Sequence, residues 1–207
     1  MQHHKFSPSS LERRKACPAS ARLEDGLPDV PNPYSEEGTL LHKVIQQIVV
    51  TGNRDSNITG LTADQIELVD FAIGTVKAII EGCGKSGIYT EIKVNDGNRH
   101  GYVDLLIVPD SAGIPIQAID YKFGAGPVKP VTQNLQMRDY ANMTRHYLSL
   151  GDRQIVAHII QPKRNWHDAA LIDDFNGITK EITEIIKNGS DPNAPIIPGD
   201  HCRFCKA

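Results

Sequence analysis

No apolar run in the sequence approaches the roughly 18 residues that a membrane-spanning helix requires. The opening, "MQHHKFSPSS", lacks the charged-then-apolar pattern of a secretory leader. The expectation is therefore a cytoplasmic protein. Internal repeats and low-complexity tracts are also missing, which sets repeat architectures aside. A surplus of positive charge is missing too: 22 Lys and Arg stand against 25 Asp and Glu, for a formal net charge of −3. That balance does not announce a nucleic-acid binder, but an enzyme that holds divalent cations in a cleft needs acidic groups there. Cysteine is scarce, at Cys17, Cys83, Cys202 and Cys205. In a cytosolic chain such thiols point to metal or chemistry before disulfides.

What is present suits one globular unit. The 207 residues are 40% hydrophobic and 23% charged, long enough for one domain with a substantial core and short for two. The expected unit, 1–207, divides into N-terminal helices (1–85), a core (86–162) and a C-terminal helix with a cysteine-containing tail (163–207). Ser9 or Ser10 can cap a short helix through "LERRKAC", and "GLPDVPNPY" (26–34) reads as a loop. Ser35 offers an N-cap for a helix whose stripe is Leu41, Val44, Ile45 and Ile48, with His42 on its flank. Thr62 and Gln65 form a capping-box pattern before a second long helix, with Gly82 as its C-cap residue. Strand-like runs follow at 87–95, 101–109 and 114–123, the first two joined by the turn-rich "DGNRH". A helix over 132–150, a fourth strand over 153–162 and an amphipathic helix around Ile178, Ile182 and Ile185 complete the order. The pattern implies an α/β sandwich around a small mixed sheet.

One strand poses a problem. In "QAIDYKFGAG" (117–126), alternation places Asp120 and Lys122 on the same face as Ile116 and Ala118, although charged side chains are seldom buried unpaired. Asp104 occupies an equivalent internal place on the preceding strand. A buried Asp–Lys ion pair would satisfy the pattern. So would a divalent cation between two converging carboxylates, because hard oxygen ligands suit Mg²⁺ or Mn²⁺. A nearby lysine could then orient a water or stabilise charge on a phosphate.

Further motifs surround that strand: "EGTLLH" (37–42) carries G-x-x-x-H on a helix, "GYVD" (101–104) is G-x-x-D, and "NLQMRDYA" (134–141) sets Gln136 and Tyr140 one helical turn apart. "GDHCRFCKA" (199–207) closes the chain. This ordered set resembles the RecB-like branch of the PD-(D/E)XK nuclease superfamily, nearest to phage-borne members with a cysteine motif at the C-terminus. The resemblance implies a restriction-endonuclease-like sandwich with a central mixed four-stranded sheet flanked by helices. It implies that Asp104 and Asp120 bind the catalytic cation, that Tyr121 adds its main-chain carbonyl, and that Lys122 activates water or stabilises the transition state. His42 becomes a further metal ligand that favours Mn²⁺, and Gln136 and Tyr140 contact DNA or brace the site. Glu91 could face the site from the first strand, but a simple exposed glutamate is the reading its position favours. Basic residues such as Arg13, Arg14, Lys129, Lys163 and Arg164 are candidates for DNA backbone contacts.

The same resemblance implies a [4Fe–4S] cluster on Cys17, Cys202 and Cys205. Such clusters use four thiolates, and the fourth is not found in the tail. A zinc site completed by His201, or no metal there at all, are the alternatives, with Cys83 an ordinary thiol. The activity implied is metal-dependent hydrolysis of DNA phosphodiesters, as an exonuclease in phage recombination or DNA processing, with partner proteins of those pathways. The alternative is a non-catalytic DNA-end or protein-binding module on a nuclease scaffold.

Overall fold

The computed structural model describes residues 4–28, 33–149 and 151–207, and within them not the side chains of residues 33, 34 and 204. Along the chain run α1 (Leu11–Ala16), α2 (Ser20–Leu23), α3 (Pro33–Thr51), α4 (Arg54–Asn57), α5 (Ala63–Cys83), β1 (Ser86–Asn95), β2 (His100–Pro109), β3 (Ile116–Tyr121), α6 (Leu135–Tyr147), β4 (Ile155–Gln161), β5 (Trp166–Ile172) and α7 (Phe175–Ser190). None of the described helices is long and apolar enough to cross a membrane.

Local chemistry sets most helix ends. Thr62 Oγ1 accepts from the Gln65 amide at 3.3 Å and Gln65 Oε1 from the Thr62 amide at 3.1 Å, closing the capping box of α5. Asn134 and Asp174 cap α6 and α7 by accepting from Met137 N and Gly177 N. Helix α6 and strands β3 and β4 are shorter at both ends than the sequence suggests, and three further boundaries differ for a local reason. Helix α3 starts at Pro33, where a missing N–H costs nothing, so Ser35 lies inside it and its carbonyl takes the Thr39 hydroxyl at 2.9 Å. Helix α5 runs through Gly82 and ends at Gly84, whose φ of 64° suits only glycine well. Ser10 precedes α1 without capping it, because its hydroxyl donates to the carbonyls of Lys5 and Ser7. Of the loop expected over 26–34, residues 29–32 lie outside the described residues and 33–34 are helical.

The sheet has five strands in the order β1-β2-β3-β4-β5, mixed because β3 and β4 run parallel and the other neighbours antiparallel. The expected four-stranded sheet is thus one strand short. Strand β5, "WHDAALI", escapes notice because it is an edge strand whose outward residues are exposed and whose His and Asp mask the alternation. Asn165, at φ 50°, makes the left-handed reversal that folds β5 back on β4. Helix α6 carries the parallel crossover, which needs such a connection. The sheet separates two cores. On one side Leu41 and Ile45 of α3 and Val69 and Val76 of α5 pack on Leu105, Ile107, Ile119 and Ile160. On the other, Leu11, Met137 and Met143 of α6, and Ile178 and Ile182 of α7, pack on Leu106, Ala118, Ala157 and Ile159.

Two irregularities place the site. Residues two apart on a strand normally share a face, yet Val103 packs with α6 and Leu105 with α3 and α5. Across the ladder, Ile92 packs on the α6 side while Thr90 Oγ1 receives Gln46 Nε2 of α3 at 3.4 Å. Both strands therefore turn over between the pairs Thr90–Leu105 and Ile92–Val103, at Glu91 and Asp104, and Glu91 has φ 49°. The β2–β3 ladder ends at Leu105–Ile119. Past it the strands fork, with Asp104 and Asp120 the first residue on each prong.

Candidate active site

The fork brings Asp104 against the far prong. Its Oδ2 accepts the Tyr121 amide at 2.7 Å and lies 3.4 Å from His42 Nδ1 on α3. Glu91, across the turn-over on β1, completes a group: ligand atoms of His42, Glu91 and Asp104 all lie within 4.8 Å of one another, each residue half-buried. His42 is held edge-on between the rings of Tyr121 and Phe123, with centroids 5.8 and 5.2 Å away. Burial alone would lower the His42 pKa, but the Asp104 carboxylate, with Asp120 and Glu91 behind it, carries it above its ordinary value. Burial and then the Asp104 charge push Glu91 up to about 6.

The second half of the site lies on the α6 face. Asp120 is 3% exposed; its Oδ2 lies 2.8 Å from Lys122 Nζ and its Oδ1 accepts Gln136 Nε2 at 2.9 Å. Lys122 Nζ also donates to Gln136 Oε1 at 2.7 Å. One glutamine amide thus bridges the acid and the amine, which fixes which end of it is oxygen. Gln136 Nε2 also lies 3.3 Å from the Tyr140 hydroxyl one turn on. Burial raises the Asp120 pKa, against the pull of Lys122. Gly101, the glycine of G-x-x-D, lets this arrangement close up: a Cβ there would stand 2.7 Å from Pro8 Cδ and 2.9 Å from Tyr140 Cε1.

Sequence-derived residues fall into three sets. His42, Asp104, Asp120, Lys122, Gln136 and Tyr140 converge on the fork. Tyr121 is there through its backbone, while its ring joins the α3-side core and its hydroxyl is buried without a partner among the described residues. Glu91, expected from the sequence to be a simple exposed glutamate, is instead half-buried and grouped with His42 and Asp104. Counting the β1–β2 hairpin from its turn puts it opposite Asp104, a register signal present in "EIKVNDGNRHGYVD".

The basic residues are largely engaged elsewhere. Arg13 and Arg14 pair with Glu24, Lys129 with Glu12 and Lys163 with Glu37. Arg164 donates to the Ala125 carbonyl. Cys83 is buried in the α3-side core. Cys17 Sγ accepts the Ile197 amide at 3.4 Å, Cys202 Sγ accepts the Gly199 amide at 3.4 Å, and the His201 ring nitrogen bonds the Ile197 carbonyl. Among the described residues these thiols join no group of three potential ligands within 4.8 Å. As placed, the cysteines do not fit a cluster or a zinc ion.

His42, Glu91 and Asp104 do fit a divalent cation. The carboxylates of Glu91 and Asp104 repel each other when ionised, which adds to burial in raising Glu91, and a cation held between them and the neutral imidazole would remove that conflict. The mixed nitrogen and oxygen donors suit Mn²⁺ at least as well as Mg²⁺.

The family model of the PD-(D/E)XK nuclease superfamily matches residues 5–207, a span that holds the whole sheet, both cores and the fork. Among solved structures, the crystal structure of SSO0001 is similar over 95% of this chain and 91% of that one, at 11% identity and a TM-score of 0.37.

Proposed function

The chain belongs to the PD-(D/E)XK nuclease superfamily, and from that premise we propose that it hydrolyses DNA phosphodiester bonds at the β2–β3 fork, as an exonuclease. The observation that carries this reading is the meeting of a His–Glu–Asp donor group with a lysine on the adjoining prong. His42, Glu91 and Asp104 would hold the cation, with Asp120 beside them. A bound Mn²⁺ or Mg²⁺ would supply Lewis acidity toward a phosphoryl oxygen and its attacking water. The chain's own residues do the positioning. Asp120 and Gln136 take two of the three N–H donors of Lys122, leaving the third for a water or a phosphate oxygen. The Asp104–Tyr121 amide bond fixes the prongs relative to each other, so the donors need no reorganisation when substrate arrives.

Exonuclease action, the RecB-like subtype and a setting in phage recombination rest on the motif resemblance. The cysteine proposal rests there too. The chain's ends do meet, through Ile197 to Cys17 and the Lys206 amide to Glu24, but the thiols as placed form no ligand set among the described residues. Iron and acid-labile sulfide content after anaerobic purification tests it.

The test of the activity is degradation of end-labelled linear DNA and of closed circular DNA, with Mn²⁺, Mg²⁺ or chelator. Loss of linear DNA alone is expected, abolished by chelator and reduced on the order of a hundredfold or more in Lys122→Ala. Cutting of circles would make the enzyme an endonuclease. Binding of DNA ends without cleavage under any metal condition would turn the reading to a binding module.

A further inference from the structure

One residue past Lys122, after the buried Phe123, the chain makes an exposed turn, "GAG", over Gly124, Ala125 and Gly126. Its carbonyls face inward. Gln161 Nε2, on a side chain 1% exposed, donates to the Gly124 and Gly126 carbonyls, both at 2.7 Å. Arg164 donates to the Ala125 carbonyl at 3.2 Å. With the carbonyls of Gly124 and Ala125 held from beneath, the planar peptide units turn the Ala125 and Gly126 amides outward; Pro127, next in line, has no N–H. Neither amide has a hydrogen-bond acceptor among the described residues.

The fold does not require these glycines. Neither has a φ in the left-handed region, and a Cβ on either would meet nothing within 4 Å. Glycine weakens a loop by enlarging the entropy of the unfolded chain, and a residue with a side chain would fit both positions without strain. The remaining physical reason for glycine is close approach of another molecule to the backbone. Arg164 says what charge that molecule carries: its guanidinium is exposed, lies at the turn, and has no carboxylate within ion-pair distance among the described residues.

We propose that the Gly124–Gly126 turn and Arg164 form a phosphate seat for the DNA backbone, receiving the phosphodiester next to the one cleaved. Outward backbone amides in a row and a guanidinium are the donors that phosphate oxygens accept. Two residues of extended chain reach about 7 Å, so the seat adjoins Lys122 and would fix the register of the strand over the fork. This deepens the nuclease reading and rests on it.

The experiment measures equilibrium binding of a fluorescent DNA duplex by fluorescence anisotropy in Ca²⁺, on the Lys122→Ala background. Gly126→Leu, Gly124→Ala with Gly126→Ala, and Arg164→Gln are compared with that parent. Melting temperatures of the glycine variants are expected not to fall, because the Cβ atoms have room and the unfolded chain loses entropy. Binding is expected to weaken about tenfold or more in Gly126→Leu and in Arg164→Gln, the cost of lost charge-assisted bonds, with a shallower salt dependence in Arg164→Gln. If the parent binds DNA and all three variants bind equally well, the seat is wrong while the nuclease reading stands. If the parent does not bind DNA at all, both fall. Weakened binding confined to variants with lowered melting temperatures would also overturn the seat, and the double alanine variant guards against that ambiguity.

Discussion

At the scale of the residue, Glu91 is where shape and chemistry pull against each other. A φ of 49° on a non-glycine residue costs about 1–2 kcal/mol, and it turns β1 over so that a carboxylate faces Asp104 and His42. Such strain persists where a site needs it. Glu91→Gly should therefore raise unfolding stability by about 1 kcal/mol while weakening Mn²⁺ binding at least about tenfold. Urea unfolding and calorimetric titration of Mn²⁺ read the two effects separately. A glutamate with a purely structural role would give the opposite pair, lower stability and unchanged Mn²⁺ affinity. Most of the site was legible because each motif carries its own element: His42 on its helix, Asp104 and Asp120 on their strands, Lys122 just past the end of β3, and Gln136 with Tyr140 on one helix face. Glu91 was legible only in register, because the left-handed turn-over that aims it at Asp104 is announced by no residue in "YTEIKV".

At the scale of the element, three strands share a polar row with no part in the fork, buried at Gln117 and His158 and reaching the surface at His167. His158 of β4 is 5% exposed; its Nε2 lies 2.7 Å from Gln117 Oε1 on β3 and its Nδ1 3.0 Å from His167 Nε2 on β5. Gln117 Oε1 can only accept, so Nε2 of His158 carries the proton and Nδ1 accepts from His167. Protonating His158 would set N–H against N–H. Burial, then the neighbouring His167, depress His158 from 6.5 to about 4, and His167 is lowered as well. The unfolded chain thus binds more protons between those values, so stability is full above about pH 6.5 and is lost as pH falls toward 4. The loss is about 3 kcal/mol from His158 alone. Urea unfolding of wild type and His158→Gln across this range should show a stability difference that shrinks on acidification, and a constant difference would refute it. The strands that carry this row were readable from apolar runs, β5 excepted: an edge strand exposes half its residues, and its pattern merges with loop composition. The fork was unreadable for another reason, since where a ladder stops depends on the partner strand.

At the scale of the whole molecule, the site is held from behind by a buried ion pair joining three distant segments. Arg99, 5% exposed in the β1–β2 turn, grips Asp139 of α6, 0% exposed, through two bonds of 2.9 and 3.0 Å. It also bonds Asp96 at 2.7 Å and the Phe6 carbonyl at 3.1 Å. The N-terminal segment is thereby fixed where Pro8 meets Gly101 and Tyr140, and α6 is fixed where it presents Gln136 to Lys122 and Asp120. Planar guanidinium and carboxylate match each other in shape as well as charge. Breaking a buried pair on one side costs roughly 3–5 kcal/mol, because the remaining charge stays buried. Asp139→Asn keeps the volume but turns an amide toward a guanidinium, so it should lie near the lower end of that range, given the help of Asp96. The expected result is a urea midpoint shifted to match, and slower turnover with little change in DNA affinity at temperatures where the variant is folded. That split follows from geometry: α6 orients Lys122 through Gln136, whereas the exposed turn after Lys122 is tied to Gln161 and Arg164 and not to α6. A stability loss below about 1 kcal/mol would mean that Asp96 alone holds Arg99, and equal losses in affinity and turnover would mean that α6 positions the DNA as well as the lysine.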